Sequence, residues 1–136
     1  MNRRVVVLVV GLVGAVVLFA VVMVVVIALG VLKLMDRTDA RVCGLAVVQR
    51  SPAAARLVGT PIVQKGFTGG RTSESNGELY ERITFTVTGP RGDAFVLSEG
   101  SRSPLGSHLT VTIGRDQRSE TIYSGPFDCP ELQEKR

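Results

Sequence analysis

The sequence predicts an α+β domain carried behind a single membrane-spanning helix, and three observations predict it. Val5 to Leu32 is a run of 28 residues without a charge, 14 of them Val. Residues 36–58 then carry helix grammar. After Pro61 the grammar changes to alternating strands separated by Gly-rich turns. A helix followed by several strands reads as a helix packed on one face of a mainly antiparallel sheet of about five strands. The domain organisation expected is a cytoplasmic stub and anchor over 1–35, an extracytoplasmic domain over 36–130, and a polar, frayed tail over 131–136.

The apolar run comes first. A hydrocarbon core of about 30 Å needs about 20 residues in a helix, and this run would extend about 42 Å at 1.5 Å per residue. In lipid the backbone must satisfy its own hydrogen bonds, which a lone helix does even when Val dominates it. A cleaved signal peptide has a shorter apolar region of about 7–15 residues and a small-residue site after it; no convincing Ala-x-Ala follows here. A lipoprotein would need a lipobox before Cys43, where Ala40, Arg41 and Val42 stand. Arg3, Arg4 and the free amine precede the helix, whereas Lys33 and Arg37 follow it. That bias places the N-terminus in the cytoplasm and the domain outside.

The formal charge of +4 arises mainly at the membrane flanks, since Met35 onward holds 13 Lys/Arg and 12 Asp/Glu. The two signs are interspersed, and aromatic residues make up only 5%. Neither a basic face nor a stacking platform for nucleic acid is built from this.

Asp36 to Arg50 is expected as a helix capped by Asp36 or Thr38, with Val42, Leu45, Ala46 and Gln49 on its buried stripe and Val48 beside it. Ser51-Pro52 restarts it, because Ser caps well and Pro suits the first helical position. Gly59 closes the helix and Pro61 forbids its continuation. Ile62 to Thr68 is the first strand expected, and the glycines at 69 and 70 with Ser73 to Gly77 mark a loop. Leu79 to Thr88 is the clearest strand, with Ile83, Phe85 and Val87 alternating against Thr84, Thr86 and Thr88. Gly89 to Gly92 turns the chain, and Ala94 to Glu99 returns as the hairpin partner. Leu109, Val111 and Ile113 define a fourth strand, and Glu120 to Ser124 a fifth.

The order of these motifs resembles the cytochrome oxidase assembly protein 1 family, whose fold is shared with a subunit of the mitochondrial presequence translocase. Ser51-Pro52, the Ala-rich turn after it and Leu57-Val58-Gly59-Thr60-Pro61-Ile62 resemble that family's helix-to-strand junction. Asn76-Gly77, then Ile83 to Gly92, then Ala94-Phe95-Val96, resemble its strand, Gly-Pro-basic-Gly turn and return strand. The likeness covers roughly residues 51–113. Where the family tends to place an aromatic before the fourth strand, this chain has Ser107-His108. The resemblance implies a non-enzymatic assembly or interaction factor for a respiratory membrane complex, with cytochrome oxidase as client. The alternative is an envelope-anchored structural or sensory domain unrelated to oxidase assembly, because a fold does not dictate a function.

Sites are sparse. Cys43 and Cys129 are the only cysteines. Outside the cytoplasm they can pair; the other reading is one buried and one exposed free thiol, and two distant Cys are poor support for copper. His108 is the only histidine, too few for a triad or a metal site, and reads as a strand-edge residue. Arg91-Gly92-Asp93 spells an integrin-binding tripeptide, but turn chemistry accounts for it. No phosphate loop follows the glycines, because no Gly-Lys-Ser/Thr is present. No catalytic residue, cofactor or metal is expected. Partner contacts are expected in two loops, one with Arg71, Asn76 and Gly77 and one with Gly89, Pro90, Arg91, Gly92 and Asp93, because exposed loops carry function on rigid scaffolds. In the bilayer, Gly11 and Ala15 form a small-xxx-small pair that would let two anchors approach.

Overall fold

A computed structural model describes residues 2–35 and 38–134. The chain divides into two compact units, Met1–Lys33 and Leu34–Arg136. In the first, helix α1 (Arg3–Met35) is the one element among the described residues long and apolar enough to cross a membrane. Its apolar side chains stand exposed from Val5 to Val31, as suits a helix whose solvent is lipid.

The second unit has two layers. Helices α2 (Asp39–Arg50) and α3 (Pro52–Val58) lie on a five-stranded sheet of β1 (Val63–Ser75), β2 (Glu78–Gly89), β3 (Gly92–Ser103), β4 (Gly106–Arg115) and β5 (Arg118–Gly125). The sheet is an antiparallel meander, ordered as the strands occur in the chain. Hairpins this short place each strand beside its predecessor without crossovers. The open edges are β1 and β5.

The kink between the helices forms as Ser51-Pro52 predicts. The Ser51 hydroxyl accepts the Ala54 N–H at 3.3 Å, and Gly59 closes α3 with a positive φ. Thr38 holds the N-cap position of α2, whereas Asp36 lies outside the described residues. The buried face of α2 differs from the expected stripe. Ala40, Cys43, Gly44, Ala46 and Val48 are buried, and Val42, Leu45 and Gln49 are not. The reason is close approach: a Cβ at Gly44 would lie 2.7 Å from Ser98 Oγ and 2.8 Å from Ser98 Cβ. Small residues seat the helix on β3, Val48 is buried as expected, and Leu45 and Val47 pack half-buried at the margin of the core.

Alternation along β2, β3 and β4 sends Ile83, Phe85, Val87, Val96, Leu109, Val111 and Ile113 into the core beneath the helices. The opposite face carries Thr84, Thr86, Thr88, Thr110 and Thr112, as alternation requires. Two expectations need correction. The stretch 69–75 is strand, not loop: β1 bulges between Lys65 and Gly69, re-enters register, and pairs Arg71 with Arg82 and Ser75 with Glu78. Only Asn76 (φ 53°) and Gly77 (φ 77°) turn the chain, the left-handed pair that suits a two-residue hairpin. The tail also departs from expectation. Pro130–Gln133 forms a short helix, α4, that packs on α2 through Leu132 and an Arg50–Glu131 ion pair. Residues 135 and 136 lie outside the described residues.

Candidate functional site

Two regions hold the residues that the sequence singles out. At one end of the sheet, the β2–β3 turn is built into the domain. Its Arg91 N–H donates to Val58 O at 2.8 Å, and the Arg91 guanidinium donates to Arg56 O at 2.9 Å. Arg115 reaches over from β4 to Leu57 O at 3.3 Å and Arg91 O at 3.1 Å. Gly89 lies so close to α3 that a Cβ there would meet Val58 O at 2.3 Å. Asp93 accepts from Lys65 Nζ and Thr88 Oγ1, and those bonds hold its carboxyl below the usual range. Both charged groups of Arg91-Gly92-Asp93 are thus engaged within the fold, while Pro90, Arg91 and Asp93 stay exposed. The turn is a brace with an outward surface. The other predicted loop is smaller than expected: Asn76 and Gly77 form an exposed turn, and Arg71 is an exposed residue of edge strand β1.

Beside the brace, α3 and the β4–β5 hairpin enclose an open groove of about 810 Å³. Leu57, Ala53 and Ile113 line its apolar part, and Arg56, Arg115 and Arg118 stand with Asp116 and Glu120 around a rim of mixed charge. This groove was not legible in the sequence. Arg56 and Arg118 are 62 positions apart, and only the packing of α3 on the hairpin brings them together.

Cys43 and Cys129 are joined by a disulfide with Cα atoms 5.7 Å apart. Chain geometry explains the meeting: β5 ends at Gly125, and Phe127 then lies over Gly100, where a Cβ would meet its ring at 2.3 Å. Arg102 stacks 4.1 Å from the Phe127 ring centroid, and the next turn brings Cys129 beneath α2. Closing an 86-residue loop stabilises the fold by about 4–5 kcal/mol in the chain-entropy model. Each sulfur is occupied by the other, so neither is a thiolate ligand in this structure.

His108 lies exposed on β4, with Nε2 3.1 Å from Ser124 Oγ. Among the described residues, no three His, Cys, Asp or Glu side chains gather to hold a metal. One buried carboxylate escaped the sequence reading. Glu81 occupies an inward position of β2 and accepts the Ala40 N–H at 3.0 Å, at the start of α2. Burial raises its carboxyl above the ordinary value, the Ala40 N–H opposes this, and Asp39 adds to it. The sign of its position was present in the alternation with Ile83, Phe85 and Val87. Gly11 and Ala15 are exposed on α1.

A family model described as Coa1, cytochrome oxidase complex assembly protein 1, matches residues 13–115. No curated protein and no solved structure matches the chain.

Proposed function

This chain belongs to the cytochrome oxidase complex assembly protein 1 family, and from that premise we propose a membrane-tethered, non-enzymatic assembly factor whose client is cytochrome oxidase or another respiratory membrane complex. The observation that carries the proposal is the family match, which runs from inside α1 through β4. It includes all of the anchor helix from residue 13 onward and most of the domain.

The N-terminus lies in the cytoplasm and the domain outside it. The flanking charges support this orientation, and the disulfide suits an oxidising compartment. Tethering a small domain to the bilayer raises its effective concentration at client segments emerging there. The exposed side of the β2–β3 turn, with Pro90, Arg91 and Asp93, and the Asn76-Gly77 turn supply the contacts. The groove beside α3 adds a rim of both charge signs, with Arg56, Arg115 and Arg118 beside Asp116 and Glu120, around an apolar floor. Gly11 and Ala15 supply a close-approach surface for a second anchor helix.

The test is affinity purification of the tagged, membrane-embedded protein in mild detergent after brief crosslinking. Mass spectrometry and a reduced-minus-oxidised haem spectrum are the readouts. Oxidase subunits with haem are the expected result. Recovery of unrelated envelope proteins alone would remove the client from the proposal and leave the fold and anchor standing.

A further inference from the structure

The start of α2 identifies one end of the sheet. Arg102 Nη1 donates to Asp39 Oδ2 at 2.6 Å, and the Ala40 N–H meets Glu81 Oε2. The end of the sheet beside Asp39 is therefore the one bearing the β1–β2 and β3–β4 turns. Helix α1 ends at Met35 and α2 begins at Asp39, and fully extended chain covers at most about 14 Å between those Cα atoms. The chain that leaves the anchor thus joins the domain at that end.

Leu105 stands at the β3–β4 turn, two residues before Ser107, the pairing partner of Arg102, and so up to about 7 Å beyond that pair along the strand direction. It is 98% exposed, whereas the other exposed large apolar residues among the described residues of this domain, Val63, Phe95 and Tyr80, are at 50%, 43% and 40% and lie on strands. The turn is braced to hold it outward. Its N–H donates to Ser103 Oγ at 3.2 Å, and that hydroxyl donates to Gly106 O at 3.3 Å. Pro104 fixes the preceding φ. A lone surface Leu normally needs no explanation; this one is held rigidly at the tethered end of the domain.

We infer that the Ser103–Gly106 turn is a second membrane contact, with Leu105 entering the lipid headgroup zone of the bilayer that α1 crosses. The inference rests on α1 spanning that bilayer. Ser103, Pro104, Leu105 and Gly106 carry no charge to desolvate. The neighbouring Asn76-Gly77 turn reaches a similar level, because Leu79 pairs with Arg102, and it is flanked by Glu74 and Glu78. Those carboxylates stay in water and limit the depth to the headgroups. Two attachments orient a domain where one leaves it free to swing, so the contact would present the groove and the β2–β3 turn at a set height above the membrane.

The chain has no Trp, so single Trp variants report cleanly. The full-length protein is reconstituted in phosphatidylcholine vesicles carrying lipids brominated at defined acyl positions. Phe19→Trp, in mid-anchor, reports whether α1 spans. Leu105→Trp reports the turn, and Ser119→Trp, at the other end of the sheet, supplies the baseline for a domain side chain. The expected result is strong quenching of Phe19→Trp by deep bromines and about twofold greater quenching of Leu105→Trp than of Ser119→Trp by shallow ones. Quenching of Phe19→Trp with Leu105→Trp no different from Ser119→Trp would overturn the contact and leave the anchor intact. A blue-shifted Leu105→Trp without bromine quenching would also overturn it, since protein, such as a second copy, would then cover the turn. Absence of quenching at Phe19→Trp would overturn the anchor itself.

Discussion

Glu81 shows how one residue can couple this domain to pH. Its carboxylate is buried at the start of α2, and desolvation is the largest cause of its raised pKa. A raised folded-state value means that the folded domain holds the proton more firmly than the unfolded chain does. The stability from this group is fully present below the ordinary Glu value of 4.5 and is lost as pH rises through the folded value. Glu81→Gln keeps an acceptor for the Ala40 N–H and removes the titration. Urea unfolding of the variant is expected to lose that downward slope above pH 4.5; slopes equal to those of the parent would refute the assignment. Gly44 is a steric case. The Ser98 atoms that a Cβ would meet belong to a strand fixed on both sides, so Gly44→Ala is expected to cost about 1–3 kcal/mol by overpacking, measured by the same unfolding.

Among the elements, α2 is held most heavily. It is sealed to the sheet by packing, to α4 by the Arg50–Glu131 pair, and to the chain after β5 by the disulfide. Cys43→Ser with Cys129→Ser is expected to cost up to about 4–5 kcal/mol, read as a lower urea midpoint that dithiothreitol no longer changes. The parent should show the matching loss when reduced. Ser51→Ala removes the cap of α3 and is expected to cost about 1 kcal/mol. Its effect is confined to stability, because Ser51 touches neither the groove nor the two turns. The edge strands behave differently. Along β1, the bulge between Lys65 and Gly69 interrupts one open edge, a device that discourages pairing with foreign strands.

As a whole molecule, the chain is a lipid-solvated helix with no core of its own and a water-solvated domain built around one core cluster. Heating the protein in detergent is expected to melt Leu34–Arg136 in one cooperative step, since its elements share one core cluster. The 33-residue helix α1 should remain helical, because backbone in an apolar solvent has no other partner for its hydrogen bonds. Far-ultraviolet circular dichroism above the transition should therefore retain a helical signal that a domain lacking residues 1–33 does not. Full loss of helicity in the intact chain would contradict this separation.

The sequence by itself determined what depends on local chemistry and period. Charge-free length made α1 legible, Ser51-Pro52 and Gly59 bounded α3, and the alternation from Ile83 to Thr88 marked β2 and its two faces. The ordered motifs were enough to identify the family resemblance, and the match over residues 13–115 agrees with it. Tertiary structure alone decided the rest. Hydropathy chose Val42 and Leu45 for the buried face of α2, but close helix–sheet approach selected Ala40, Cys43 and Gly44 instead. Glycines at 69 and 70 read as a loop because local propensity favours one, yet pairing with Ile83 and Thr84 keeps that stretch in the sheet. The polar composition of the tail concealed α4, whose helix forms against α2. Groove, brace and the level of Leu105 are relations between residues tens of positions apart. Such relations are set by packing and register, which act across the chain, while propensity acts only along it.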